Sequence, residues 1–85
     1  MTETRENRLK RMQMRSMRRG IKEMDLILSA YAAEHLPAMS EAELDQYDAL
    51  LRENDQDLYQ WVTGQVDAPE PLADLVAKVA LTFQK

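Results

Sequence analysis

Glycine and proline are scarce in this chain, and their placement limits what it can fold into. Two glycines and three prolines, Gly20, Pro37, Gly64, Pro69 and Pro71, are the only strong helix breakers in 85 residues. They cut the sequence into five stretches that each read as helix. Strand signals, runs of alternating polarity rich in β-branched side chains, are nearly absent. The expected fold is therefore all-α, a compact five-helix bundle forming a single domain over residues 1–85, with residues 1–6 flexible.

The first helix is expected from about Arg5 to Arg18, with few apolar residues (Leu9, Met12, Met14, Met17) among many arginines. Gly20 then suits a left-handed C′ position, and Arg18 and Arg19 fall in the last turn, where cations suit the helix dipole. The second helix covers Ile21 to about Leu36. There Ile21, Met24, Leu28, Tyr31 and His35 recur at spacings of three and four, Ile27 widens the stripe, and Pro37 stops it. The third begins at Ser40, which forms a capping box with Glu43, and buries Leu44, Tyr47 and Leu51. The fourth is short, capped by Asn54 or Asp55 and ended by Gly64, with Leu58, Trp61 and Val62 facing inward. Pro71 sits in the first turn of the fifth, whose inner face is Leu72, Leu75, Val76, Val79 and Phe83. Short connections favour antiparallel packing of neighbours. The predicted core is Leu28, Tyr31, Leu44, Tyr47, Leu51, Leu58, Trp61, Leu75, Val76 and Val79. Trp61 is its expected largest contributor in the second half, and Trp61→Ala is expected to cost about 3 kcal/mol or more.

Composition removes most chemistry. With no cysteine, a disulfide framework, a thiolate metal site and a cysteine nucleophile are all excluded. His35 is the sole histidine, too few for the usual zinc constellations, and reads as a helix C-terminal residue. Asp55-x-Asp57 resembles the start of a calcium loop, but Gln60 and Val66 stand where glycine and glutamate are required. Gly20 and Gly64 are isolated, so no phosphate-cradling loop exists. No catalytic, metal or cofactor-binding residue is expected, and no apolar run approaches the ~18 residues that span a bilayer. An arginine-rich start can mimic a transit peptide, but Glu3 and Glu6 interrupt it, so the segment reads as mature sequence in a bacterial cytoplasm.

Charge is strongly polarised. Residues 1–23 hold eight basic and three acidic side chains (net +5), and residues 24–85 hold three and twelve (net −9), giving −4 in all. Such a molecule can present a basic face to an anionic partner, protein or nucleic acid alike, while the rest stays soluble.

The densest polar cluster is Arg18-Arg19-Gly20-Ile21-Lys22-Glu23-Met24-Asp25. Guanidinium groups end one helix and carboxylates open the next. Gly20 leaves no side chain at the corner, so another backbone or a ring could approach closely. Arginine's planar fork reads carboxylates or phosphates in two-point geometry. A plainer account fits the same residues: Gly20 as a C-cap, Glu23 and Asp25 as dipole partners, Arg19 paired with Glu23. Spacing alone favours the plainer account, and the two are compatible. The acidic run Glu53-Asn-Asp-Gln-Asp57 reads as a capping segment. Of the aromatics, Tyr59 lies off the Leu58/Trp61 stripe and is the one expected at the surface.

Arg-Arg-Gly-x-x-Glu-x-Asp resembles the signature of the succinate dehydrogenase assembly factors that promote covalent FAD attachment to the flavoprotein subunit. The Arg-Ser-Met-Arg-Arg run before it, the Ser40–Glu43 helix start, Leu50-Leu51 and Asp55-x-Asp57-Leu58-Tyr59-x-Trp61 also match that family in order and spacing, so the likeness runs from about Arg8 to Phe83. The resemblance implies a five-helix bundle that is not itself an enzyme. It implies a chaperone-like accessory protein that binds the FAD-binding subunit of succinate dehydrogenase or fumarate reductase, whose own histidine forms the flavin link. FAD would be carried by the partner and not bound tightly here. The implied partner-binding residues are Arg19, Gly20 and Glu23, then Arg18 and Asp25, with Arg15 and Tyr59 as peripheral contacts. The short start argues for a bacterial, cytoplasmic member, monomeric when free, with no membrane insertion and no nucleic acid bound. The alternative is a small regulatory or nucleic-acid-binding, antitoxin-like protein using the basic first helix. An enzyme with Glu23 or Asp25 as general base lacks a second catalytic group.

Overall fold

The computed structural model describes residues 3–83. They form five α-helices: α1 (Arg5–Ser16), α2 (Lys22–His35), α3 (Glu41–Leu51), α4 (Asp55–Val62) and α5 (Glu70–Phe83). A single 3-10 turn, Leu36–Ala38, carries Pro37 beyond α2. α2 lies at the centre, touching α1, α4 and α5, while α1 also packs on α3. The all-α five-helix bundle is the fold expected.

Local signals set most helix starts. Ser40 accepts from the Glu43 amide and Glu43 reaches back to the Ser40 amide, a complete capping box that satisfies two orphan donors of the first turn. Asn54 caps α4 by accepting from Gln56 N–H, so Asp55 is left as the first helical residue. Gly64 follows α4 with φ of 82°, the left-handed conformation that only glycine adopts without strain.

The end of α1 differs from expectation. The helix stops at Ser16, its C-cap is Met17, and Arg18 and Arg19 lie outside it. Continuing it would require Arg19 N–H to reach the Arg15 carbonyl. That amide instead donates to Asp25 Oδ1 at 2.5 Å, and Gly20 N–H donates to Asp55 Oδ2. Side chains six and 35 positions further along the chain thus draw the backbone off the helical path. Gly20 is not in the left-handed region; Gly64 is the one glycine that is. The cap reading of Gly20 is therefore replaced by a role in close approach.

Nine of the ten expected core residues are buried, centred on Tyr47 at 0% exposure. Its ring stacks on Tyr31 with centroids 5.8 Å apart, and its hydroxyl meets Ser16 Oγ at 2.6 Å. Ser16 also donates to the Met12 carbonyl at 2.8 Å, so this buried polar pair is satisfied. Burial pushes the Tyr47 phenol up to about 12. Met12, Met24, Leu36 and Leu50 are buried as completely as the predicted set. The exception is Trp61, which packs against the core only partly buried. It sits near the end of the short α4, where the turn to α5 leaves one side of the indole open. The side chain of Phe83 lies outside the described residues.

The basic first helix is held to α3 by a row of ion pairs. Arg5 meets Glu41 at 2.6 Å, Arg8 meets Asp45 at 2.6 Å, and Arg11 meets Asp48 at 3.2 Å. Residues three apart on α1 thus face residues three to four apart on α3. Each solvated pair is weak alone, of order 0–1 kcal/mol.

Two predictions follow from burial and from the row. Leu58→Ala, at 0% exposure, is expected to cost about 3 kcal/mol, and Trp61→Ala less than that. Urea midpoints of the two variants decide the order, and a larger loss at Trp61 contradicts it. The Arg11 guanidinium holds the Asp48 carboxyl below the usual range, and the Ser40 amide does the same for Glu43. Carboxylates with folded pKa values below the unfolded ones contribute stability in full above about pH 4 and lose it as pH falls through the folded values. The melting temperature is expected to hold from neutrality to about pH 5 and to drop below about pH 4, with a shallower drop in Asp48→Asn.

Candidate functional site

The α1–α2 corner, residues 17–21, is built around one buried guanidinium. The Arg19 side chain is 8% exposed and that of Asp55 16%. Arg19 Nε donates to Asp55 Oδ1 at 2.6 Å. Its two other nitrogens donate to the carbonyls of Leu51 (2.9 Å) and Glu53 (3.0 Å). Leu51 ends α3, so Arg19 satisfies a carbonyl left without an intrahelical partner. Asp55 opens α4, where a carboxylate complements the dipole, and its second oxygen takes the Gly20 amide. Asp25, half-buried in the first turn of α2, accepts from Arg19 N–H. The four groups form one joint that ties the α1–α2 corner to the α3–α4 corner.

Gly20 serves that joint by space rather than by dihedral angle. A Cβ built there would lie 3.0 Å from Asp55 Oδ2, a tight contact, so a side chain there would displace the carboxylate that holds Arg19 by a few tenths of an ångström.

The sequence-predicted site residues therefore fall into two groups. Arg19 and Asp25 are engaged within the molecule; Arg19 pairs with Asp55 and not with Glu23. Arg15, Arg18 and Glu23 are exposed, and among the described residues none has a side-chain hydrogen bond or ion pair. Gly20 is exposed between them with its amide engaged. Arg15 and Arg18 line an open groove with Arg11, Met14 and Arg19. Tyr59 is half-buried against the core, one turn beyond Asp55 on the same face of α4. The residue that sequence reasoning missed is Asp55, taken there for a cap. Its only visible signal was membership of the Asp55-x-Asp57-Leu58 segment; nothing in local spacing links it to Arg19.

Chemically, the corner offers exposed cations, one free carboxylate and a backbone apex. It gathers no group of three histidine, aspartate or glutamate side chains able to hold a metal among the described residues.

A family model described as "Flavinator of succinate dehydrogenase" matches residues 10–81. The chain belongs to that family. Three curated relatives, each named succinate dehydrogenase assembly factor 2, mitochondrial, support the match. The protein of Meyerozyma guilliermondii is 47% identical over 72 residues, covering 85% of this chain and 53% of that one. That of Candida glabrata is 60% identical over 48 residues, covering 56% and 31%. That of Saccharomyces cerevisiae S288c is 46% identical over 69 residues, covering 81% and 42%. The chain spans about half or less of the length of these relatives. The family match takes in both corners of the joint, Arg19–Gly20 and Leu51–Asp55.

Because Arg19 is a buried cation with three acceptors, Arg19→Lys keeps the charge but cannot reach all of them. It is expected to lower unfolding stability by about 2 kcal/mol or more. An unchanged urea midpoint contradicts the joint.

Proposed function

We propose that this chain is an assembly factor that docks onto the FAD-binding subunit of succinate dehydrogenase, or of fumarate reductase, and promotes covalent attachment of FAD to it. The observation that carries the reading is the family match over residues 10–81, joined to a corner whose Arg18, Gly20 and Glu23 stay exposed. The role is accessory. The partner's histidine and its flavin supply the reacting groups, and this chain contributes binding energy that holds them in register. Correct orientation of two reacting groups is worth many powers of ten in rate.

The two kinds of corner residue divide that task. Arg19, Asp25 and Asp55 fix the shape of the corner. Arg18 and Glu23 are free to meet complementary groups on the partner, and Gly20 lets a partner surface come close. Arg19 and Asp25 thus belong to partner binding through the geometry they impose, and Arg15 and Tyr59 border the surface.

FAD belongs in this reading to the flavoprotein and is not resident here. The arginines line one open groove, while Trp61 and several alanines line another, so neither joins a slot for a flavin ring to groups for its phosphates. We place the action in a bacterial cytoplasm with the free chain monomeric. The named relatives are mitochondrial, and no helix among the described residues is long and apolar enough to cross a membrane.

A nucleic-acid reading through the basic first helix is less well supported. Arg5, Arg8 and Arg11, which would form the phosphate-tracking stripe, already face Glu41, Asp45 and Asp48.

Glu23→Arg is the informative variant, since Glu23 has no side-chain partner to lose among the described residues. It is expected to reduce covalent flavin on the flavoprotein subunit by about fivefold or more, read as flavin fluorescence of the subunit in denaturing gels, with helical circular dichroism unchanged. Wild-type flavin levels in that variant count against the corner. Gly20→Arg is expected to lose both stability and flavinylation, because its Cβ would crowd Asp55.

A further inference from the structure

The arginines of α1 and its trailing loop are of two kinds. Arg5, Arg8 and Arg11 face α3 and have carboxylates. Arg15 and Arg18 have none among the described residues, and both are exposed. Arg11, Met14 and Arg15 follow spacings of three and four on one side of α1, and Arg18 comes from the loop after it. Together with Arg19 they line an open groove of about 360 Å³. Its lining comes from the second half of α1 and the loop that follows. Two of its arginines are already engaged, Arg11 by Asp48 of α3 and Arg19 by Asp55 and the Leu51 carbonyl.

We propose that this groove receives an acidic segment of the flavoprotein subunit, with carboxylates on Arg15 and Arg18 and an apolar side chain against Met14. The proposal rests on the assembly-factor reading above. Three features favour this occupant. First, Arg15 and Arg18 are the cations of the groove whose charge is unspent, since Asp48 and Asp55 already take Arg11 and Arg19. Their forks match carboxylates in two-point geometry.

Second, Met14 is 52% exposed within the groove and Met17 is 56% exposed beside it in sequence. Flexible thioether side chains adapt to an apolar partner side chain, and a nucleic-acid backbone has none to offer. Third, the chain carries −4 overall. It repels an extended polyanion at long range, so its attraction for carboxylates is local to two guanidinium groups. That footprint is too short for phosphate tracking, whose affinity grows with each phosphate neutralised.

The test is calorimetric titration of the purified FAD-binding subunit of the organism's succinate dehydrogenase with wild type and with Arg15→Glu/Arg18→Glu, at low and high salt. The double variant is expected to bind about tenfold or more weakly and to lose most of the salt dependence. Its urea midpoint should fall only slightly, because neither arginine has a side-chain partner among the described residues and only the helix-dipole contribution of Arg15 in the last turn of α1, small at an exposed position, is lost. Equal affinity, within about twofold, overturns the groove as the docking site while leaving the assembly-factor reading in place. Failure of wild type to bind the subunit sinks both. Duplex DNA binding that the double variant abolishes, with subunit binding untouched, assigns the groove to nucleic acid and also overturns the proposal.

Discussion

One carboxylate joins the two halves of this bundle. Asp55, at the first turn of α4, accepts from the Arg19 guanidinium and from the Gly20 amide, residues 36 and 35 positions away. Arg19 Nη1 and Nη2 donate to the carbonyls of Leu51, the last residue of α3, and Glu53 just beyond it. The Arg19 guanidinium and the Asp55 carboxylate are largely buried, where an unpaired charged group is costly. Together they close a network with every member satisfied; no buried side-chain polar atom is left without a partner among the described residues. The bend between α1 and α2 follows from that network, and so does the outward direction of Arg18 and Glu23.

Much of the fold was legible because it is local. The Ser40–Glu43 box, the Asn54 cap, the Gly64 turn and the stripes of α2, α3 and α5 all rest on residues within a few positions of one another. Three features were not legible, each for a nonlocal reason. α1 ends two residues earlier than its pattern suggests, because Asp25 and Asp55 capture the next amides. Gly20 is needed for its lack of a Cβ near Asp55, whereas a helix-ending sequence pattern points to a left-handed cap. Trp61 is the largest apolar side chain, but size does not fix depth, and its place near the end of a short helix keeps it partly open.

The candidate site shows the same division. Sequence marked the correct stretch, since guanidiniums, a glycine and carboxylates stand together there. It could not say which charges remain available. Arg19 and Arg18 are adjacent and chemically identical, yet one is sealed inside the joint and the other faces solvent. That distinction belongs to the packing of α3 and α4 against the corner. It also recasts the polarised charge of the chain: most of the positive charge of α1 is matched by α3, and the unmatched part is confined to the last turn and the loop after it.

The shared carboxylate has a consequence for how substitutions combine. Arg19, Gly20 and Asp55 contribute to a single closed arrangement, so disrupting one already forfeits most of what the others contribute. Effects of changes at these positions should fall short of their sum. Tolerated variation is then expected as concerted exchange across the pair of corners, one position compensating another, and much less as independent drift at any one of the three.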